Sequence, residues 1–339
     1  MDLTMILLLV AGGALLVPLV LDDDEDSEDG PDARRIDGDE IRGTFGDDTL
    51  DGTDRDDLIF GFTGDDVIDG GGGDDEIRPG EGNDTVNGGL GRDFILGSPG
   101  NDVIDGGVGD DRIFGGADDD IIQGGFGSDL LRGGDGNDVI AGGLDARSDG
   151  GPAERVTDAL RGDDGDDTLF IWGGEGRADG SADDDDLILV TGEATLVGGA
   201  GDNDHYVLAN VSDDQDTNGI ISDFDPVRDT LTLTVDGVLE AGDVAPTLRI
   251  ETVADTITES DGDGGTVTVS GIRVTAVMED SATNPDDTEG ASVFLRGATQ
   301  AQVDAATIDV FFTEEADIEN PTATLASFGV TVPPTPSQG

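Results

Sequence analysis

The chain of 339 residues has no cysteine, a single histidine and few aromatic residues, which make up 4% of the sequence. Without cysteine it has neither disulfide bonds nor thiolate metal sites. One histidine, His205, excludes a histidine-based zinc site and most catalytic triads. The sequences H-E-x-x-H, G-x-S-x-G and Walker A are absent too. We therefore predict no enzymatic activity, and we expect His205 to pack beside Tyr206, with a metal-edge or catalytic role as the alternatives.

Positive charge is also scarce. The sequence has 79 acidic residues against 16 basic ones, all of them arginine, and a formal net charge of −63. Such a charge excludes nucleic acid as a partner, because phosphate contacts require cations. It favours bound cations and solubility but opposes compaction of the chain. A folded form of this chain therefore requires that part of the charge be neutralised.

The most abundant feature of the sequence is a nine-residue repeat. From Gly43 to Ala141, eleven units follow one another without a gap, the last of them reading GGDGNDVIA. The sixth position is always Asp, and the eighth is always Leu, Ile or Val. The first position is Gly except at Pro79, and the fourth is Gly except at Arg55 and Asp118. Such strict periodicity predicts one structural unit repeated along an axis.

The repeat predicts short strands joined by tight turns. Each unit has room for a turn of about six residues and a strand of about three, whose position-eight side chain points inward because side chains alternate along a strand. Burial of one aliphatic side chain stabilises the fold by roughly 1.5–3 kcal/mol, whereas ordering the backbone costs roughly 1–2 kcal/mol for each residue. Another interaction must therefore hold the coil together.

The aspartate column at position six offers that interaction. Glycine at positions one, two and four allows positive φ angles and turns with exposed carbonyl groups, and carbonyl oxygens with a carboxylate are ligands that suit Ca²⁺. Two half-turns make one coil of 18 residues, so that Asp48 lies over Asp66 and Asp57 over Asp75, about 4.8 Å apart. Eleven units give up to nine stacked pairs and calcium sites, which would change the charge from −63 to −45. We expect the two turns that lack the position-four glycine to bind weakly or not at all.

The repeat closely matches G-G-x-G-x-D-x-U-x and resembles the calcium-binding nonapeptide repeats of the RTX (repeats in toxin) family. The resemblance covers about a third of the chain and implies a parallel β-roll that binds Ca²⁺ and folds on binding it. It implies that turn carbonyls and the position-six carboxylates are the metal ligands. These carboxylates belong to Asp48, Asp57, Asp66, Asp75, Asp84, Asp93, Asp102, Asp111, Asp120, Asp129 and Asp138, and to Asp167 in the later unit 162–170.

Two segments precede the repeat. Residues 5–21 (MILLLVAGGALLVPLVL) form an apolar run near the lower length limit of a bilayer span. We predict that residues 1–21 form a hydrophobic helix, either an anchor or a signal segment, and that residues 5–21 contact a membrane. No basic residue precedes the run, which favours the anchor. Residues 22–42 predict a flexible acidic linker.

The regular roll of residues 43–141 is interrupted after Ala141. We interpret residues 142–152 as an inserted loop and residues 142–204 as interrupted, degenerate repeats, since the terminal repeats of solenoids are atypical. The pattern returns weakly at Asp158 and fully at Asp167.

Two later glycine-rich stretches are followed by acidic residues off the ideal spacing. These are Asp179 after the first stretch and Asp202 or Asp204 after the second. They predict a tapering roll without a definite calcium ligand. We expect the only tryptophan, Trp172, to seal the roll against this less regular segment.

From His205 the composition changes, and residues 205–339 predict a β-rich C-terminal domain. Alternating residues predict strands at 205–211, 219–224, 230–235, 247–257, 266–278 and 292–296. The segments GGAGDNDHYVL, IISDFDPVRDTLTL and SVFLRGATQAQVDAATIDVFF resemble the end of the repeat region and the closing segment of RTX and serralysin-like proteins. The resemblance implies a β-sandwich-like cap and a signal for type I secretion, with the secretion machinery as a partner. The polar, proline-rich tail departs from the short apolar ending of that family.

These features predict an all-β fold: a parallel β-roll (β-solenoid), a β-rich cap and one N-terminal hydrophobic helix. The leading functional hypothesis is a bacterial, non-enzymatic calcium-binding protein, extracellular or at the cell surface, whose roll folds on Ca²⁺ after export. The alternative is an extracellular matrix or adhesion-type interaction protein. A secreted hydrolase is a third class, which the shortage of aromatic residues for a substrate cleft disfavours.

Overall fold

The computed structural model describes residues 38–143, 157–201, 203–208, 217–236, 247–260, 266–279 and 292–313. The predicted hydrophobic helix over residues 1–21 and the acidic linker up to residue 37 lie outside these residues, as does the chain beyond residue 313. Within the described ranges, no helix is both long enough and apolar enough to span a membrane.

The nonapeptide repeats form a succession of short parallel strands, two in each coil. Each strand pairs with the strand two places along the chain, as Leu58 does with Glu40 and with Glu76. The odd-numbered strands therefore form one sheet of the coil and the even-numbered strands form the other. The strands are β1 (Glu40–Arg42), β2 (Thr49–Thr53), β3 (Leu58–Thr63), β4 (Val67–Gly71), β5 (Glu76–Glu81), β6 (Thr85–Leu90), β7 (Phe94–Pro99), β8 (Val103–Val108), β9 (Arg112–Ala117), β10 (Ile121–Phe126), β11 (Leu130–Asp135) and β12 (Val139–Ala141). The predicted all-β parallel solenoid is confirmed.

The core of the coil is the column of position-eight side chains. Ile77, Ile95 and Ile113 on the odd strands have no solvent exposure, and Ile68 and Ile104 on the even strands are almost as deeply buried. Residues at positions seven and nine, on either side of each core residue, point outward because side chains alternate along a strand. The core is thus one aliphatic residue wide per strand, as the repeat predicts.

The turns depend on glycine for two different reasons. Positive φ angles occur at positions two and four of the repeat, as at Gly107 (φ 101°) and Gly109 (φ 146°), a region that glycine reaches without steric cost. Position one does not have a positive φ, so the prediction that its glycine serves this purpose is wrong. A Cβ built at Gly97 would instead lie 2.5 Å from the carbonyl oxygen of Gly115, which shows that position one needs glycine for close packing of successive turns.

The interruption after Ala141 leaves the coil intact. Strand β13 (Thr157–Asp164) pairs with β11 through Leu130 and Ala159, which are 29 residues apart instead of 18. Gly142 and Gly143 still occupy turn positions, since Gly142 accepts the N–H of Gly125. The insertion therefore begins later than the predicted residue 142, and its residues 144–156 lie outside the described part of the chain.

The next two strands are unusually long because no aspartate turn separates their two halves. Strand β14 (Thr168–Ala182) pairs with β12 through its first residues and with β13 through its last. Its pairing with the following strand has register shifts on either side of Trp172. Strand β15 (Asp186–Gly199) repeats this path one layer further on. Each strand thus crosses from the even sheet to the odd sheet.

The parallel pairing continues beyond residue 205. Strands β16 (His205–Leu208) and β18 (Thr230–Asp236) extend the even sheet, and β17 (Thr217–Ile221) extends the odd sheet. Strand β21 (Ser292–Arg296) then extends the odd sheet, and strand β22 (Thr307–Thr313) extends the even sheet. Strands were predicted in each of these places except the last.

An antiparallel hairpin joins the coil in this region. It consists of β19 (Thr247–Ser260) and β20 (Thr266–Glu279), and β20 also pairs with β21. The four-residue helix α1 (Gln300–Val303) precedes β22. A separate C-terminal cap is not confirmed, and the predicted domain boundaries remain predictions.

Candidate metal-binding turns

Each position-six aspartate is tied to the coil above it by one carboxylate oxygen. The backbone N–H of Asp84 donates to Oδ1 of Asp102 at 2.9 Å, and the N–H of Asp102 donates to Oδ1 of Asp120 at 2.8 Å. The same bond joins Asp48 to Asp66 and Asp57 to Asp75, so the predicted stacking at an interval of 18 residues is present. From Asp57 onward these side chains are buried; Asp102, for example, is 1% exposed.

From Asp66 onward, the second carboxylate oxygen of most of these aspartates is buried without a hydrogen-bond partner, whereas Oδ2 of Asp48 and of Asp57 accepts the N–H of Thr44 and of Thr53. An unpartnered buried carboxylate oxygen is costly, and such atoms are rare in folded proteins. Here the same atom lacks a hydrogen-bond partner in one turn after another, which indicates that these atoms share a role as candidate metal ligands. It is Oδ2 of Asp66, Asp84, Asp102, Asp111, Asp120, Asp129, Asp138, Asp167 and Asp185.

Oδ2 faces a small space that is also lined by a backbone carbonyl of the next coil. The position of a Cβ built at Gly97 is 2.5 Å from Asp102 Oδ2 and 2.5 Å from the carbonyl oxygen of Gly115. At Gly106 the corresponding distances are 2.6 Å to Asp111 Oδ2 and 2.5 Å to a carbonyl oxygen. Carboxylate and carbonyl oxygens that converge in this way suit a hard cation such as Ca²⁺, which is held at roughly 2.3–2.6 Å by oxygen ligands. The residues present therefore fit the metal that the repeat implies.

Side chains alone do not form a metal site in the described ranges. These ranges contain no group of three or more His, Asp or Glu side chains that could hold a metal ion. The turn arrangement explains why, since each turn contributes a single buried carboxylate beside a backbone carbonyl oxygen. Any cation here would be held by carboxylate and backbone oxygens together, which is compatible with Ca²⁺ and unlike a zinc site.

Burial makes these carboxylates difficult to ionise. Removal from water disfavours the charged form and raises each pKa, the backbone N–H lowers it in part, and neighbouring carboxylates raise it further. In the metal-free coil at neutral pH, these carboxyl groups are therefore either protonated, or ionised at a cost in folding free energy. The pKa is raised to about 8 for Asp120, Asp129 and Asp185, to about 7 for Asp75, Asp102 and Asp167, and to about 6 for Asp84, Asp111, Asp138, Asp158 and Asp204.

A second ladder of hydrogen bonds, which was not predicted from the sequence, lies on the outside of the turns at position five. The N–H of Asp74 donates to Asp56 Oδ1 at 2.8 Å, and the N–H of Asn101 donates to Asn83 Oδ1 at 2.9 Å. These bonds point back along the chain, opposite to those of the buried column. The frequency of Asp and Asn at position five was the available signal, because both side chains accept hydrogen bonds from nearby backbone groups.

The buried column extends beyond the regular repeats. Asp129 donates its N–H to Asp158 and Asp138 donates to Asp167, across the insertion in each case. The column then continues from Asp167 through three residues that were not among the predicted ligands: Asp185, Asp204 and Asp229. Their signal was an aspartate two residues before a core aliphatic or aromatic residue.

Of the two irregular acidic residues that the structure describes, Asp179 and Asp204, only Asp204 joins the column. Asp204 is buried and accepts the N–H of Asp185, whereas Asp179 lies within strand β14 and pairs with Arg177. Asp202 lies outside the described residues. The turn at Asp118, which lacks the position-four glycine, still takes a positive φ of 77°.

The aromatic and histidine side chains near residue 205 have structural contacts. The ring nitrogens of His205 lie 3.0 Å from Asp186 Oδ1 and 2.9 Å from Thr232 Oγ1, on the two neighbouring strands. Tyr206 is fully buried, occupies a core position and donates its hydroxyl to Asp223. Trp172 is 4% exposed at the crossing of strand β14. These contacts order the coil where its turns become irregular.

The family model of the RTX calcium-binding nonapeptide repeat (4 copies) matches residues 42–77, 79–113 and 114–147. These residues therefore carry RTX repeats, as the sequence predicted. No curated protein matches the chain.

Proposed function

We propose that the chain is a calcium-binding protein whose β-roll folds when Ca²⁺ occupies the turns. The observation that supports this most strongly is the recurrent buried Oδ2 without a partner, beside a carbonyl oxygen of the next coil. In this proposal Oδ1 of each position-six aspartate keeps the backbone N–H of the previous coil, and Oδ2 is a metal ligand. The predicted ligands from Asp48 to Asp138 and Asp167 are retained, and Asp158, Asp185 and Asp204 are added; Asp48 and Asp57 would have to exchange the hydrogen bonds that their Oδ2 atoms accept from Thr44 and Thr53 for the metal.

Bound calcium would supply positive charge to a chain that has little of its own. Without it, the formal charge of −63 and the raised pKa values of the buried column oppose the folded coil. Because a preformed site does not exist in the unfolded chain, the free energy of binding becomes free energy of folding.

The cellular part of the proposal is export in the unfolded state followed by folding outside the cell or at its surface. Calcium sites of extracellular proteins bind weakly, with dissociation constants of roughly 0.1–1 mM, so the roll would remain unfolded where calcium is scarce. The C-terminal segment that resembles the end of RTX proteins would then serve type I secretion. In this proposal the protein is not an enzyme.

The direct test is a calcium titration of the full chain followed by far-UV circular dichroism, with bound calcium counted by isothermal titration calorimetry. We expect β signal to appear cooperatively near millimolar calcium, and Mg²⁺ at the same concentration to be far less effective. A β signal that is unchanged after thorough chelation would show that calcium does not fold the roll.

A further inference from the structure

The two outer faces of the coil carry opposite chemistry. The outward positions of the odd strands hold Arg42, Arg78, Arg112, Arg132 and Arg161, on β1, β5, β9, β11 and β13. The strands between them contribute phenylalanine, at Phe60 and Phe94. We call this surface the arginine face.

The even strands from β2 to β12 contain no arginine and no aromatic residue except Phe126 at the end of β10. Their outward positions carry Asp51, Asp69 and Asp105, beside β-branched residues such as Val67, which is 49% exposed. We call this surface the aspartate face. Neither the core nor the turns require the two sheets to differ in charge. The unequal distribution of charge therefore indicates a role for the outer faces themselves.

Three of the five arginine side chains on this face are held in place by aromatic rings. The guanidinium groups of Arg42 and Arg78 lie 5.4 and 5.7 Å from the ring centre of Phe60, and that of Arg112 lies 5.9 Å from the ring centre of Phe94. Stacking of this kind orients an arginine and leaves its edge donors available to a carboxylate. Ion pairs within the face join Arg78 to Glu76, which is 22% exposed, and Arg132 and Arg161 to Asp163, which is buried. A carboxylate from outside must therefore compete with these groups or use the remaining donors of each guanidinium.

We propose that the arginine face binds the aspartate face of a second copy of this chain. The charge pattern of the two faces is complementary, and apolar side chains accompany the charges on both, with Leu130 on the arginine face 41% exposed. Sheets stacked face to face lie about 10 Å apart, a distance that arginine and aspartate side chains bridge. Since the two faces lie on opposite sides of one coil, the contact is heterologous and leads to open stacks instead of closed dimers.

The contact is small, so each pairwise association is weak. Seven odd strands at about 4.8 Å spacing give a strip about 29 Å long and roughly one strand wide, which is below the size of a standard stable interface. Association therefore depends strongly on protein concentration. It also requires a folded coil, and to that extent it rests on the proposed function.

The test is a charge exchange measured by sedimentation velocity on the full chain in saturating calcium. One variant carries Arg78→Asp and Arg112→Asp on the arginine face, and a second carries Asp69→Arg and Asp105→Arg on the aspartate face. We expect each variant alone to associate at least tenfold more weakly than the wild-type chain. An equimolar mixture of the two variants should recover association, because each altered face again meets its complement.

The matched control carries Arg55→Asp and Arg92→Asp, which changes the charge equally but in the turns. Aspartate already occurs at both repeat positions elsewhere, at Asp118 and Asp110, so we expect this variant to associate like the wild-type chain. Circular dichroism of every sample reports whether the roll has folded, which separates failure of this proposal from failure of calcium-driven folding.

Three outcomes would overturn the proposal. The first is a folded wild-type chain that remains monomeric at all concentrations. The second is association that the arginine-face variant shares unchanged, which would place the contact elsewhere in the chain. The third is a monomeric chain that retains an anionic polysaccharide through Arg78 and Arg112, which would identify a different occupant of the face.

Discussion

Replacement of Asp102 by asparagine should have opposite effects on the metal-free and the calcium-bound coil. Asparagine keeps the oxygen that accepts the N–H of Asp84 but removes the negative charge. Burial raises the pKa of Asp102 from 3.8 to about 7, and a shift of about three units favours the neutral side chain by at most about 4 kcal/mol, less once solvent screening is included. The metal-free coil should therefore become easier to fold.

In calcium the same substitution removes one partner of a buried ionic contact. Loss of one partner of a buried pair destabilises a protein by about 3–5 kcal/mol. Since the turn of Asp102 is stacked between those of Asp84 and Asp120, we expect the variant to bind up to two fewer calcium ions and to need more calcium for folding.

Isothermal titration calorimetry gives the number of bound ions, and circular dichroism gives the calcium midpoint of folding. The matched control is Asp69→Asn, which removes one charge from an exposed position on strand β4. It should change the midpoint little. If D102N bound as many ions as the wild-type chain, with the same midpoint, the assignment of the buried column as the ligand set would be wrong.

Three further predictions follow from the turns and the core. Gly97→Ala should displace the oxygens of Asp102 and Gly115 and reduce the number of calcium ions bound, whereas Gly46→Ala, where a Cβ would meet nothing within 4 Å, should not; equal calorimetric stoichiometry for the two variants would contradict this. In chelator, the β signal should increase as the pH falls from about 8 toward 4. The carboxyls of Asp120 and Asp129 have pKa values of about 8 in the folded coil against an ordinary value of 3.8, so they bind protons on folding. A circular dichroism signal that does not change with pH would refute this prediction. Ile104→Ala should lower the free energy of unfolding in calcium by about 2–5 kcal/mol, and Val103→Ala, at an outward position, by much less, as measured by urea denaturation.

The regular coil could be predicted because its determinants are local and strictly periodic. A core residue at position eight and an aspartate at position six recur without a gap, and the structure places the first in the core and the second in a buried column. The stacking of Asp48 on Asp66 followed from the length of two units. The family match at residues 42–147 agrees with this reading.

The rest could not be predicted because it depends on pairing between distant strands. Asp185 joins the column although its turn has Ser181 and Asp183 where the repeat has glycine, both at positive φ. The crossing of strand β14 between the two sheets has no sequence signal beyond the missing aspartate turn. The role of the position-one glycine was also misjudged, since close approach of two coils is a tertiary effect that a single repeat does not reveal.

Successive repeats alternate between the two sheets. The coil can therefore be lengthened or shortened without rearrangement only by an even number of repeats. Deleting one nonapeptide would transfer every later strand to the opposite side, so that arginines and aspartates would be mixed on both surfaces while core and turns remained satisfied. Deleting two would shorten the rod and keep each surface uniform. A pair of repeats is therefore the modular unit for anyone who lengthens, trims or recombines this protein.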